Sequence, residues 1–173
     1  MIFRDALSGD FTSIAALHTR SWREHYSGIF DEDYFGKAIE KDRLNVWKER
    51  FSKGNSLRKV ILVEENNELV AFACTFLDHD PQNGALLDNL HVRSDFHGRG
   101  LGLQLMQQSF DWVKSQRPEQ SLYLSVLSEN KASKQFYLNL GGKVIDTHFE
   151  KSQAGNEVEV DVLLWEDRPQ RIA

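Results

Sequence analysis

One stretch limits the possible folds of this chain more than any other. From Leu86 onward an apolar segment runs into the turn His97-Gly98-Arg99-Gly100-Leu101-Gly102. Behind the turn, Leu101, Leu105 and Trp112 fall on one stripe beside Met106 and Val113, which predicts a helix over 98–115. The first turn of a helix carries N–H groups without intrahelical partners, and the helix dipole places partial positive charge there. Alternate glycines keep side chains away from those donors. The segment therefore reads as a backbone cradle for a phosphate, with Arg99 adding a formal charge at its mouth. Glycines that merely start a helix tightly would look the same, so the turn alone leaves both readings open.

Two nucleotide-binding motifs can be compared residue by residue. A P-loop ends in Gly-Lys-Ser/Thr, and Gly102-Leu103-Gln104 does not supply it. A dinucleotide fingerprint needs Gly-x-Gly-x-x-Gly in a βαβ unit. Here the third glycine comes one residue early, and Glu119, near the position of the ribose-binding acid, follows Pro118 outside a strand end.

The remaining chain frames that turn. Its 173 residues, 40% hydrophobic with eleven Phe and four Trp, fit a single domain over 1–173 with one sizeable core. A short strand at 1–6 precedes Phe11, Ile14, Ala15, His18 and Trp22 at helical spacing. Tyr26-Ser27-Gly28-Ile29-Phe30 interrupts that helix, and a more charged one is expected over 31–51. Strands follow at 59–64 and 69–77, joined by Asn66-Asn67, and at 85–93 after Pro81-Gln82-Asn83-Gly84. Beyond the helix of the glycine turn, 121–127 alternates like a strand, and Ser128-Glu129-Asn130 opens a helix that Gly141-Gly142 closes. Strands over 143–149 and 157–165 end the pattern. This order predicts an α+β fold with a mixed, mostly antiparallel sheet rather than a regularly alternating one.

Several functions are disfavoured. A net charge of −5 argues against a nucleic-acid partner, which calls for a concentrated basic face. No apolar run approaches the ~18 residues of a membrane span, so a cytoplasmic protein with no membrane partner is expected. Cys74 is the one cysteine and sits in the apolar run 70–76, where an inert core position is expected. The six histidines show no metal-ligand spacing, so no metal is expected. No Gly-x-Ser-x-Gly elbow occurs, and Cys74 lacks an evident activating partner, so no acyl-enzyme is expected.

The second informative run is Asn130-Lys131-Ala132-Ser133-Lys134-Gln135-Phe136-Tyr137-Leu138-Asn139-Leu140-Gly141-Gly142. Asn130, Ser133 and Tyr137 stand at i, i+3 and i+7 and share one helical face, while Ala132, Phe136 and Leu140 form an adjacent stripe suited to the core. Singly, Asn130 reads as a helix cap and Tyr137 as a residue at the edge of the core. In order, the two runs resemble the GNAT superfamily of acetyl-coenzyme A-dependent N-acetyltransferases. Residues 97–102 are similar to its Gln/Arg-x-x-Gly-x-Gly/Ala signature, and 130–142 to its later Asn-x-x-Ala/Ser-x-x-Phe/Leu-Tyr…Gly motif. His97 stands where that family has Gln or Arg, so the resemblance carries the backbone cradle rather than this side chain.

The resemblance implies a GNAT-like three-layer α/β/α sandwich. It also implies transfer of acetyl from acetyl-CoA to a primary amine by direct attack in a ternary complex. Cofactor contacts are then expected along Leu90, His91 and Val92, around His97, Gly98, Arg99, Gly100, Leu101 and Gly102, and at Asn130, Ser133 and Tyr137. Tyr137 is the candidate general acid at the thioester sulfur. Asp88 leads the candidates for base, ahead of His91 and Glu24. Trp22, Tyr26, Ile29 and Phe30 lie where the family shapes its acceptor pocket. The acceptor is expected to be a small-molecule or peptide amine, and homodimers are common in that family. The competing expectation is a coenzyme A-binding sensor or regulatory module without catalysis.

Overall fold

Residues 60–63 are apolar without a break and are all buried, and their side chains divide between two cores. Val60 and Leu62 join one cluster with Ile14, Trp47 and Phe72, while Ile61 and Val63 join the other with Leu101, Leu105 and Met106. Successive side chains of a strand point to opposite faces, so such a run belongs inside a sheet covered on both sides. The computed structural model, which describes residues 1–26, 36, 38–152 and 155–172, has that arrangement.

In chain order the elements are β1 (Ile2–Asp5), α1 (Phe11–Tyr26), α2 (Ile39–Ser52), β2 (Arg58–Glu65), β3 (Glu68–Asp80), β4 (Gly84–Val92), α3 (Leu101–Gln116), β5 (Leu122–Leu127), α4 (Lys131–Asn139), β6 (Lys143–Lys151) and β7 (Glu157–Trp165). The seven strands form one sheet in the order β1-β2-β3-β4-β5-β7-β6. Only β4 and β5 run parallel; the other neighbours are antiparallel. Helices α1 and α2 cover one face, and α3 with α4 cover the other. The expected α+β fold with a mixed, mostly antiparallel sheet is what the structure shows.

Local boundaries differ for physical reasons. Helix α3 begins at Leu101 rather than at Gly98, because Gly98 and Gly100 adopt left-handed φ values of 76° and 78° that a right-handed helix cannot contain. The first residues expected of the second helix, and Ile29 and Phe30, lie outside the described residues. Ala132 is exposed rather than part of a core stripe, while Leu140 is buried as expected.

Gly84 starts β4 with φ 87°, and a Cβ there would stand 2.7 Å from the Ser121 carbonyl oxygen. The same backbone pairs Ala85 N with Ser121 O at 3.0 Å, which seats β4 beside β5. Gly84→Ala is expected to lower the unfolding free energy by more than about 1 kcal/mol in urea titrations. Gly9→Ala, with open space around it and no positive φ, is the control and should stay within ~0.5 kcal/mol.

Candidate active site

Strands β4 and β5 are partners at only two positions, Ala85↔Leu122 and Leu86↔Tyr123. Beyond these, β4 carries one residue more than β3: Cys74 faces Asn89 while Thr75 faces Leu87, which leaves Asp88 in a bulge. A bulge bends its strand and re-aims the local side chains. The two strands part, and a cavity of about 1060 Å³ opens between Leu87–Val92 on one side and Leu124–Leu127 on the other. Strand edges that part carry N–H and C=O groups free to bond an extended, amide-bearing ligand.

At one end of this cavity lies the glycine turn. Gly98, Gly100, Leu101 and Gly102 line it, with Gly100 capping α3. Gly102 serves packing as well: a Cβ there would stand 2.8 Å from Cζ of Phe136, so α3 and α4 touch through this glycine. His97 also lines the cavity, and its Nε2 donates to the Val92 carbonyl at 2.8 Å, closing the turn back onto β4. The guanidinium of Arg99 lies 4.4 Å over the Phe96 ring, and Arg99 is not among the residues lining the cavity.

Helix α4 forms a second wall. Asn130, Ser133 and Tyr137, expected on one face, all line the cavity. Asn130 Oδ1 accepts the Ser133 N–H at 3.1 Å as a helix cap, and the Asn130 side chain also hydrogen-bonds Tyr26 from α1. Tyr137 is buried edge-on against Trp165, with ring centroids 6.0 Å apart. Burial, with Tyr26 nearby, raises its phenol above the ordinary value and keeps the O–H protonated. The helix is moored by Asp161 of β7, which is 2% exposed. This carboxylate receives Lys134 Nζ at 2.6 Å, Thr147 Oγ1 at 2.8 Å and Ser128 Oγ at 2.9 Å. Burial alone would raise its pKa; the bonds from Lys134, Thr147 and Ser128 outweigh that and hold it below the usual carboxylate value.

The opposite end is walled by α1. His18, Ser21, Trp22, His25 and Tyr26 follow helical spacing and line the cavity together. Trp22 stacks edge-on with Tyr26 at 5.1 Å, and Arg43 lies 4.9 Å over the Trp22 ring. Trp47 Nε1 donates to His18 Nδ1 at 3.1 Å, so His18 carries its proton on Nε2, an atom with no partner among the described residues. His91 Nδ1 bonds Ser21 Oγ at 2.8 Å. Burial, with the charges of His25 and Arg43 adding, pushes His91 down to about 3.

Asp88 lines the same cavity and pairs with Arg50 Nη2 at 2.7 Å, while Arg50 Nη1 donates to Asn89 Oδ1 at 2.8 Å. Glu24 does not line the cavity: it bonds Arg20 at 2.9 Å and the side chain of Ser94, just beyond β4. Cys74 is buried, and burial pushes its thiol up to about 12, so it stays protonated and is not a nucleophile.

The family model for the acetyltransferase (GNAT) family matches residues 14–141, a span holding both the glycine turn and the Asn130–Tyr137 face. The chain belongs to this family. Among solved structures, a PaiA N-acetyltransferase from Thermoplasma acidophilum in complex with coenzyme A is 18% identical, with a TM-score of 0.72 over 92% of this chain and 96% of that one. YncA, a putative acetyltransferase from Salmonella typhimurium with its cofactor acetyl-CoA, is 18% identical, with a TM-score of 0.67 over 100% of this chain and 96% of that one. A ribosomal-protein-alanine N-acetyltransferase from Brucella melitensis is 15% identical, with a TM-score of 0.69 over 95% and 99%. These likenesses are of fold. No curated protein matches the sequence significantly.

For a GNAT protein, the residues that sequence reasoning missed are mostly those reached across the fold. Arg43 and Arg50 come from α2, and Glu150, Lys151 and Ser152 from the β6–β7 hairpin. Ser21 and His25 carried a usable signal, since both stand at helical spacing from Trp22 and His18. The Asp161 mooring sets a stability test. A carboxylate depressed in the folded state stabilises fully above its unfolded pKa of ~3.9, and this is lost as pH falls through the lower folded value. Asp161→Asn should cost about 1–3 kcal/mol at pH 7. The gap between the two proteins in denaturant titrations should stay level down to about pH 4 and shrink below it.

Proposed function

We propose that this GNAT protein is an acetyl-CoA-dependent N-acetyltransferase, one domain over 1–173, which transfers acetyl to a primary amine by direct attack in a ternary complex. One observation carries the reading: a single cavity runs from the α3 turn, through the gap between β4 and β5, past Tyr137, to the aromatic face of α1. In this reading the N–H groups around Gly98, Gly100 and Gly102 take the pyrophosphate. The parted edge of β4 at Leu90, His91 and Val92 takes the amides of the pantetheine arm, opposite Asn130 and Ser133. Arg99 assists the anion from outside the cavity. Trp22 and Tyr26 then meet the acceptor. The bound coenzyme A and acetyl-CoA of the two structural relatives support the donor.

Tyr137 is the acid. A free phenol at ~10 and a thiol at ~8.5 make full proton transfer uphill by about 2 kcal/mol, so its main work is a hydrogen bond to the developing thiolate. Burial adds to that cost and favours the same role. Asp88 is the proton acceptor, through water, since it is bulged into the cavity. His91, at about 3, is neutral and too weak a base to compete. Glu24 stands outside.

Incubation with acetyl-CoA and a panel of amines should release free thiol only when an amine is present. Tight acetyl-CoA binding without turnover across a broad panel would sink the enzyme reading, and thermal stabilisation by ATP or NAD in preference to acetyl-CoA would sink the donor. Tyr137→Phe should keep acetyl-CoA affinity and lose about 10²-fold in kcat; an unchanged kcat, with chemistry rate-limiting, removes it from catalysis. Asp88→Asn should hurt a lysine-like amine of pKa ~10.4 more than an α-amine of ~7.7–8.0, because the former needs about 4.6 kcal/mol of deprotonation at pH 7. Equal losses would remove Asp88 as the base.

A further inference from the structure

The segment that follows β7 is tied along one face of α3. Arg168 holds Asp111 with Nε to Oδ1 at 2.7 Å and Nη2 to Oδ2 at 2.8 Å. Pro169 is buried, and its carbonyl accepts Gln107 Nε2 at 2.9 Å. Asp111, Gln107 and Leu103 stand at i, i−4 and i−8, so they succeed one another on that face. The segment therefore runs back along α3 toward the glycine turn. Helix α4 holds its other side. The last carbonyls of a helix lack intrahelical partners. In α4 the Asn139 carbonyl accepts Ile172 N–H at 3.0 Å, and the neighbouring Leu140 carbonyl accepts Gln170 N–H at 3.4 Å.

The lengths agree. From Arg168 to Arg171 an extended chain covers about 10 Å. From Asp111 back to Leu103 the helix rises about 12 Å. Arg171 thus comes about level with Leu103, and Leu103, Phe136, Asn139, Arg171 and Ile172 all line the cavity beside the glycine turn. The turn itself supplies little formal charge. His97 spends Nε2 on the Val92 carbonyl, and Arg99 lies over Phe96, off the cavity lining. The other lysines and arginines of the lining come from elsewhere: Arg43 and Arg50 from α2, Lys151 from the β6–β7 hairpin. Arg171 makes no ion pair among the described residues. Beside it, Ile172 is 61% exposed, so a guanidinium and an aliphatic surface stand together at this end.

Resting on the coenzyme A reading of this cavity, we infer that Arg171 binds the 3′-phosphate of the donor's adenosine. Coenzyme A continues past its pyrophosphate into an adenosine that carries a phosphomonoester at the 3′ oxygen. With the pyrophosphate on the N–H groups of the turn, that part comes next along the cavity. There Leu103, Phe136 and Ile172 give the base apolar walls. A phosphomonoester carries about −1.5 to −2 charge at pH 7. The planar fork of a guanidinium matches its oxygens. Dephospho-coenzyme A keeps the pyrophosphate and has a neutral hydroxyl in place of the 3′-phosphate, so Arg171 is the group that tells the two apart.

Isothermal titration calorimetry on the full chain should show coenzyme A binding about tenfold or more tighter than dephospho-coenzyme A at low salt. Arg171→Gln should bring the two within about threefold, by weakening coenzyme A and leaving dephospho-coenzyme A nearly unchanged. Arg171→Lys should retain part of the preference, and Arg171→Glu should reverse it. The side chain is exposed, so thermal unfolding of these variants should match wild type, which keeps folding out of the comparison. A wild type that binds both ligands alike would overturn the inference and leave the donor reading standing. So would an Arg171→Gln protein that keeps the preference, or one that loses both ligands equally. A wild type that binds neither would sink the donor reading and this inference together.

Discussion

The two backbone pairings that join β4 to β5 decide where chemistry can occur in this fold. A parallel pair that continued would bury its amides in a ladder and leave no slot. Here Ala85 and Leu86 hold the closed end, and the extra residue at Asp88 bends β4 away just beyond them. A buried backbone group without a partner costs about 1–3 kcal/mol, so parted strands are tolerable only where water or a ligand takes over the bonds. The cavity meets that condition. The glycine turn, α4 and α1 are arranged around a gap that the sheet itself creates.

Several polar groups inside the cavity are held in one protonation state. His18 has its tautomer set by the Trp47 indole, and burial keeps it uncharged. His91 is neutral beside Ser21, and Tyr137 retains its proton. Cys74, protonated and away from the cavity, supplies no nucleophile there.

Much of this was legible in the sequence where the signal was local. Apolar runs marked the strands, and the i, i+3, i+7 spacing of Asn130, Ser133 and Tyr137 brought those three residues to the cavity. Positive φ at Gly98 and Gly100 moved a helix boundary by one turn without changing what the turn presents. Arg99 was placed by charge alone, whereas the attraction of Phe96 for its guanidinium was not visible in a linear reading. The least legible features join distant residues. Arg50 with Asp88, Ser21 with His91, and Asp161 with Lys134, Thr147 and Ser128 depend on strand register and helix docking. The bulge at Asp88 is the sharpest case, since it exists only as a count of β4 against β3.

The missing side chain at Gly102 has a mechanical consequence. Phe136 rests on that glycine, and Tyr137 is the next residue along α4. The first turn of α3 and the helix bearing Tyr137 are therefore in direct contact, with no room for a methyl group between them unless the Phe136 ring moves. A shift of either is felt by the other, so the spacing between the glycine turn and Tyr137 is set by packing as well as by hydrogen bonds.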